Sequence, residues 1–92
     1  MTFSDYIKLA EELGFVRDTN WLYYDNEEIC LFWFINTDPN DRTGKINFVN
    51  VSGYINDEAL TISEAKEKLL NRIKLHKEKL IQQKLEDIAN DF

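Results

Sequence analysis

A single cysteine, Cys30, and a single histidine, His76, are the residues of this chain best suited to nucleophilic or acid–base chemistry. A catalytic pair needs both side chains exposed in one cleft. Cys30 instead lies in an apolar run and His76 in a basic segment, so we expect a packed thiol and an imidazole on a helix surface. Without a second cysteine or histidine, the sequence does not predict a zinc site.

The carboxylates are more numerous, but their spacing does not favour a reactive centre. Adjacent pairs such as Glu27 and Glu28 diverge on a helix or strand because neighbouring side chains point apart. A calcium loop needs oxygen ligands at alternating positions, as Asp38, Asn40 and Asp41 suggest, but the required glycine and closing glutamate are missing. The three glycines are too far apart for a phosphate loop. We therefore expect no catalytic residue, metal or cofactor, and no enzyme.

Charge is unevenly distributed along the chain, whose net charge is −6. Up to Glu64 there are twelve acidic side chains against four basic ones, and from Ala65 onward there are five against seven. The acidic part also contains eleven of the twelve aromatic residues. It is therefore predicted to form a folded body whose surface repels polyanions and favours basic partners.

Length and composition predict a single domain that spans residues 1–92. The aromatic content of 13% is too high for a disordered chain, and 30% charged residues with a mean hydropathy of −0.46 exclude a membrane span. The first residues lack the pattern of a signal peptide. One cysteine cannot form an internal disulfide, which favours the reducing cytoplasm of a bacterial or phage-infected cell.

The elements that must position these residues are predicted to follow the order α-β-β-β-α, an α+β fold with a three-stranded antiparallel sheet. The strands are expected at residues 21–24, 29–35 and 45–55. In the third strand the apolar alternation changes phase near Phe48, which suggests a bulge. The second strand is apolar on both faces, so it is either covered on both sides or presents an aromatic face to a partner.

A short first helix is predicted from apolar residues at three- and four-residue spacing. Thr2 or Ser4 can cap its start. Gly14 can end it in the left-handed conformation, with Phe15 folding back toward Ala10.

A long second helix is predicted from Ile62 to Asn90, within the segment 61–92. Thr61 and Glu64 fit a capping box, and no glycine or proline follows. Such a helix would span roughly 40 Å, more than a domain of this size needs, so it either projects or bends. Its apolar residues recur at a spacing of eleven, which allows a homodimer through this helix.

Nucleic-acid binding is the alternative that the second helix raises, because it contains Lys66, Lys68, Arg72, Lys74, Lys77, Lys79 and Lys84. The element order resembles that of the double-stranded-RNA-binding domain, and the Ser-Glu-Ala-Lys start at residues 63–66 is similar to the arm-binding domains of phage integrases. In the RNA-binding domain two lysines precede the Ala-Lys pair, where this chain has Ile62 and Ser63. The acidic sheet would also repel phosphates, so a homodimeric nucleic-acid-binding protein is the second choice.

The favoured interpretation is a non-enzymatic protein-binding module with a partner whose surface is basic. The candidate partner-binding residues are Asp25, Glu27, Glu28, Trp33, Asp38, Asp41, Asp57 and Glu58. Acidic inhibitors or regulators from phages and mobile elements, such as anti-CRISPR and anti-restriction proteins, occupy basic nucleic-acid-binding grooves in this way, and the comparison is an analogy of charge and size. An acidic excess kept for solubility would explain the same composition.

Overall fold

The computed structural model describes the backbone of residues 1–40, 42–51 and 53–90, and the side chains in those ranges up to Gln82. The fold is α+β, with one helix before and one helix after the strands of an antiparallel sheet. The elements in chain order are α1 (Phe3–Leu13), β1 (Val16–Asp18), β2 (Trp21–Tyr24), β3 (Glu27–Asn36), β4 (Thr43–Phe48), β5 (Glu58–Ala59) and α2 (Ile62–Asn90).

The sheet has five strands in the order β1-β2-β3-β4-β5, not the three predicted from the sequence. The predicted third strand at residues 45–55 is too long, because β4 ends at Phe48. The change of phase at this position marks the end of the strand rather than a bulge within it. The chain then makes a separate bridge between Val51 and Tyr54 and pairs again only at β5.

Helix α1 has the two ends predicted from the sequence. The Thr2 hydroxyl accepts a hydrogen bond from the amide of Asp5 (3.1 Å), and the Asp5 carboxylate accepts one from the amide of Thr2 (3.3 Å), which completes a capping box. Gly14 has a φ of 83°, and the amide of Phe15 returns to the carbonyl of Ala10. These contacts fix the position of α1 on the sheet.

The β2–β3 hairpin turns through Asp25 and Asn26, both with positive φ. A two-residue turn of this kind matches the twist of the flanking strands and favours asparagine and aspartate. Next to this turn the register between β2 and β3 shifts, so that Tyr23 lies opposite Glu28 while Leu22 lies opposite Cys30. Ile29 is left without an opposite residue on β2, and this bulge lets both Ile29 and Cys30 enter the buried side.

The register separates the two faces of the sheet. One face contains the buried residues Leu22, Cys30, Phe32, Ile46, Phe48 and Ala59, which align across neighbouring strands. Helix α1 covers this face through Tyr6, whose ring lies 5.1 Å from that of Phe32, and α2 covers it through Leu69, which is fully buried. Both helices therefore lie on one side of the sheet.

Helix α2 is continuous over 29 residues, as predicted. The hydroxyl of Thr61 accepts from the amide of Glu64, whose own carboxylate accepts from the amide of Leu60, one residue before the expected partner. Burial recurs from Ala65 to His76, whereas residues 77–82 are all exposed. The helix therefore packs with its first half and projects with its second, which agrees with a long dimension of 60 Å against 23 and 19 Å. No helix in the described residues combines the length and the apolar character that crossing a bilayer requires.

The close packing of β4 on β3 predicts a specific requirement for glycine at position 44. A Cβ atom there would collide with the carbonyl oxygen of Trp33 and lie 2.7 Å from the ring of Phe32. We expect Gly44→Ala to lower the free energy of unfolding by roughly 2–3 kcal/mol, measured by urea denaturation. The control is Gly53→Ala. A Cβ atom at position 53 meets open space, and only the φ of 85° is unfavourable for alanine, so this variant should lower the free energy of unfolding by about 1 kcal/mol. Equal losses in the two variants would contradict the packing argument.

Candidate functional site

The second face of the sheet, which neither helix covers, carries a partly exposed apolar surface. One cross-strand row runs through Asp18, Trp21, Leu31, Asn47 and Glu58, and so crosses all five strands. Trp33 and Tyr23 lie on the same face on either side of this row. We call Trp21, Tyr23, Leu31 and Trp33 the aromatic face. None of them belongs to the buried core, and Trp33 is 56% exposed.

Acidic residues surround the aromatic face. Asp18 and Glu58 stand at the two ends of the cross-strand row, and Glu28 lies opposite Tyr23. The single lysine on this face, Lys45, is opposite Trp33 and forms an ion pair with Glu58 at 2.8 Å. The face therefore combines an apolar centre with a rim of mostly negative charge. Protein–protein interfaces commonly have such an apolar centre within a polar rim.

Two of the predicted partner-binding carboxylates form ion pairs within the fold, and one of them, Asp57, holds the base of α2. Asp57 is 18% exposed and accepts from Lys68 at 2.6 Å, and it approaches the guanidinium of Arg72 at 3.6 Å. Glu58 pairs with Lys45. Asp57 is therefore structural in this fold, because a bound partner would have to compete with two cations already in place.

Asp25 and Glu27, also predicted as partner-binding, hold His76. The Nδ1 atom of His76 lies 2.7 Å from a carboxylate oxygen of Glu27, and Nε2 lies 3.1 Å from one of Asp25. Only the protonated imidazolium donates to both. We call these three residues the His76 clamp. The expectation that His76 lies on the helix surface is wrong, because its side chain is only 9% exposed and packs edge-on against Tyr24.

The remaining predicted residues are exposed or lie outside the described chain. Glu28, Trp33 and Asp38 are exposed. Asp38 accepts a hydrogen bond from the amide of Asn40, which stabilises the loop after β3. Asp41 falls outside the described residues. Of the eight predicted residues, Trp33 belongs to the aromatic face, and Glu28 borders it without an ion-pair partner among the described residues.

Arg72 is a buried residue that the sequence analysis placed in a basic, solvated helix. Its side chain is 4% exposed and donates from Nη1 to the carbonyl of Val49 at 2.7 Å. The rings of Phe48 and Tyr54 lie 5.2 and 5.6 Å from the guanidinium carbon. Nε and Nη2 have no hydrogen-bond partner among the described residues, so these ring contacts replace part of the lost hydration.

A groove separates the β2–β3 hairpin from α2. Its volume is about 500 Å³. It is lined by Glu27, Glu28, Ile29, Val51, Arg72, Leu75, His76, Glu78, Lys79 and Gln82, and we call it the hairpin groove. No pattern in the sequence indicated it, because the hairpin and the helix that form it are about 50 residues apart.

The one cysteine lies in the core rather than at either surface. Cys30 is buried, and burial raises the pKa of its thiol to about 12, so that the thiolate needed for nucleophilic attack is absent at neutral pH. The Tyr6 hydroxyl lies 3.9 Å from its sulfur and donates to the carbonyl of Asn20. Within the described ranges, the histidine, cysteine and carboxylates form no group of three that could hold a metal ion.

Comparison of the chain with models of protein families, with curated proteins and with solved structures gave no match. Function has to be inferred from the two surfaces themselves. One is the aromatic face, and the other is the hairpin groove with the His76 clamp beside it.

The His76 clamp predicts a stability that depends on pH. The hydrogen bond to Asp25, and then that to Glu27, raises the pKa of His76 above its ordinary value of 6.5. Its contribution is therefore complete below about pH 6.5 and is lost as the pH rises through the higher pKa of the folded state. In urea unfolding between about pH 5 and pH 9, the loss should be on the order of 1 kcal/mol, because Asp25 is exposed to solvent.

The matched variants for this prediction are Asp25→Asn and Asp38→Asn. Asp25→Asn should lower the pKa of His76 in an NMR titration and flatten the dependence of stability on pH. Asp38→Asn removes another exposed carboxylate, one that does not contact the imidazole, so neither quantity should change. A pKa of His76 at or below 6.5 in the unmodified protein would disprove the clamp.

Proposed function

We propose that this chain is a non-enzymatic protein-binding module that docks a partner with a basic surface on its aromatic face. The observation that carries the proposal is the one-sided sheet, in which Trp33 of the middle strand is half-exposed on the face that neither helix covers. Exposed tryptophan and tyrosine at the centre of an apolar patch are the residues that most often dominate binding energy in protein interfaces. The acidic rim would select for arginine and lysine on the partner.

Stacking on aromatic side chains of an open sheet is also how single-stranded nucleic acids bind. Charge argues against that ligand here, because Asp18, Glu28 and Glu58 border the face and would repel phosphates. A homodimeric nucleic-acid-binding protein that uses α2 is the second candidate. It is less favoured because four basic side chains of α2, Lys66, Lys68, Arg72 and Lys79, already contact carboxylates of the folded body.

The specific form of the proposal is an inhibitor or regulator that occupies a basic groove of a nucleic-acid-processing protein in the cytoplasm. Its support is the charge and size of the chain together with the acidic rim of an apolar face. The likeness to anti-CRISPR and anti-restriction proteins of phages is an analogy of mechanism. The binding residues proposed now are those of the aromatic face with Asp18 and Glu28, while Asp25, Glu27 and Asp57 serve the fold.

The proposal is tested by affinity capture with Trp33→Ala. The bait is the full chain, the lysate is treated with nuclease, and bound proteins are released by a step from low to high salt. We expect a basic protein that is retained after nuclease and released by salt. With that protein purified, Trp33→Ala should weaken binding roughly 30-fold, the loss of about 2 kcal/mol typical of a central aromatic anchor.

The matched control is Ile55→Ala, which removes a side chain that is 72% exposed but lies between β4 and β5, outside the aromatic face. Its affinity should stay within twofold of the unmodified protein, a difference smaller than one hot spot. If the captured material is nucleic acid and nuclease removes it, the result would favour nucleic-acid binding by α2 instead. Equal binding by the Trp33→Ala and unmodified chains would exclude the aromatic face as the docking surface.

A further inference from the structure

The guanidinium of Arg72 is buried with one edge unused. Its side chain is 4% exposed, and Nη1 donates to the carbonyl of Val49 at 2.7 Å. Nε and Nη2 are buried and have no hydrogen-bond partner among the described residues. These two nitrogens form one edge of the guanidinium, and their parallel N–H groups match the two oxygens of a carboxylate.

Asp57 does not complete this edge. Its Oδ2 atom lies 3.6 Å from Nη2, which is too long for a hydrogen bond, while Oδ1 accepts from Lys68 at 2.6 Å. The rings of Phe48 and Tyr54 attract the positive charge but supply no oxygen acceptor. A buried charge with unpaired donors is costly, so an oxygen acceptor that reached this edge would be bound favourably.

Arg72 also lines the hairpin groove. It shares one face of α2 with His76 and Lys79, because the three residues recur at four- and three-residue spacing. Among the carboxylates of the lining, Glu27 already contacts His76 at 2.7 Å and Lys79 at 3.8 Å. The charges of the whole lining cancel when His76 is protonated, so the unused edge of Arg72 selects the occupant and the net charge does not.

Aliphatic side chains complete the groove. Ile29 is 6% exposed, and Val51 and Leu75 line the same space. A volume of about 500 Å³ admits a small organic ligand whose hydrocarbon part covers these side chains. A phosphate or another dianion fits less well, because Glu27 and Glu78 also line the groove and would repel it. The chemistry favours a single carboxylate on a short hydrocarbon chain.

We propose that the hairpin groove binds a small aliphatic monocarboxylate. Its carboxylate accepts hydrogen bonds from Nε and Nη2 of Arg72, and its hydrocarbon chain lies against Ile29, Val51 and Leu75. Because the two nitrogens are buried in the free chain, a side chain at this end of the groove has to move aside as the ligand enters. The inference goes beyond the proposed function and does not rest on it, since α2 and the aromatic face lie on opposite sides of the sheet.

The test is an NMR titration of the full chain with hexanoate as the probe. The methyl groups of Ile29, Val51 and Leu75 report the hydrocarbon chain, and the Nε–H group of Arg72 reports the carboxylate. We expect saturable shifts of both, with a Kd on the order of 1 mM for a ligand of this size. Hexan-1-ol and hexylammonium keep the hydrocarbon chain without the carboxylate, and each should bind at least about fivefold more weakly.

Two matched pairs of variants assign the site. Arg72→Lys keeps the charge but loses the paired N–H groups and should weaken hexanoate about tenfold. Its control, Arg17→Lys, lies on β1 outside the groove lining and should leave the affinity unchanged. Val51→Thr places a hydroxyl in the aliphatic lining and should weaken hexanoate about threefold, whereas Val16→Thr makes the same change on β1 and should have no effect. The valine pair tests the site even if unfolding curves show that the buried Arg72→Lys substitution disrupts the fold.

Three results would overturn the inference. They are equal affinities for hexan-1-ol and hexanoate, an Nε–H resonance of Arg72 that does not shift at saturation, and equal affinities of the Val51→Thr and Val16→Thr variants. Shifts confined to the indole N–H groups of Trp21 and Trp33 would assign hexanoate to the aromatic face and exclude the groove. None of these outcomes changes the capture of a protein partner by the aromatic face, so failure of either proposal is distinguishable from failure of the other.

Discussion

The rest of the structure depends on one constraint, which is that two helices are available to cover a five-stranded sheet whose central strand is apolar on both faces. Both helices lie on the side of Cys30 and Phe32, where they complete a core around Tyr6 and Leu69. A chain of 92 residues buries only a modest core, so the other side of β3, with Leu31 and Trp33, stays partly exposed. This exposure is thus a consequence of size and topology, and the proposed partner would cover it.

The charge division along the sequence has a structural explanation that precedes any functional one. Helix α2 is basic where it lies on the acidic body. Its buried face contains Arg72 and His76 at positions where most packed helices have leucine. Arg72 meets Asp57 just before β5, and His76 meets Asp25 in the hairpin turn and Glu27 at the start of β3. Much of the positive charge is therefore used within the molecule, which leaves the surface more uniformly negative than the sequence halves indicate.

The sequence predicted the parts of the fold that have local causes. The caps of α1, the bounds of α2 and the hairpin before β3 each follow from neighbouring residues. Strands β1 and β5 were missed because two or three residues carry no periodicity, and pairing with a neighbour defines them. The internal contacts of Asp25, Asp57 and His76 were not predicted either, because they join residues that are distant in sequence.

The candidate site could also be predicted only in part, because local patterns of residues show the elements while contacts between distant residues assemble the surface. Alternation showed that β3 has apolar residues on both faces, but only the register places Trp21 beside Leu31 and aligns Asp18 and Glu58 at the two ends of one row. Glu28 lies opposite Tyr23, so the register also assigns its carboxylate to the rim of the aromatic face. An interface on this face would combine aromatic area for affinity with the carboxylates of Asp18 and Glu28 for selection.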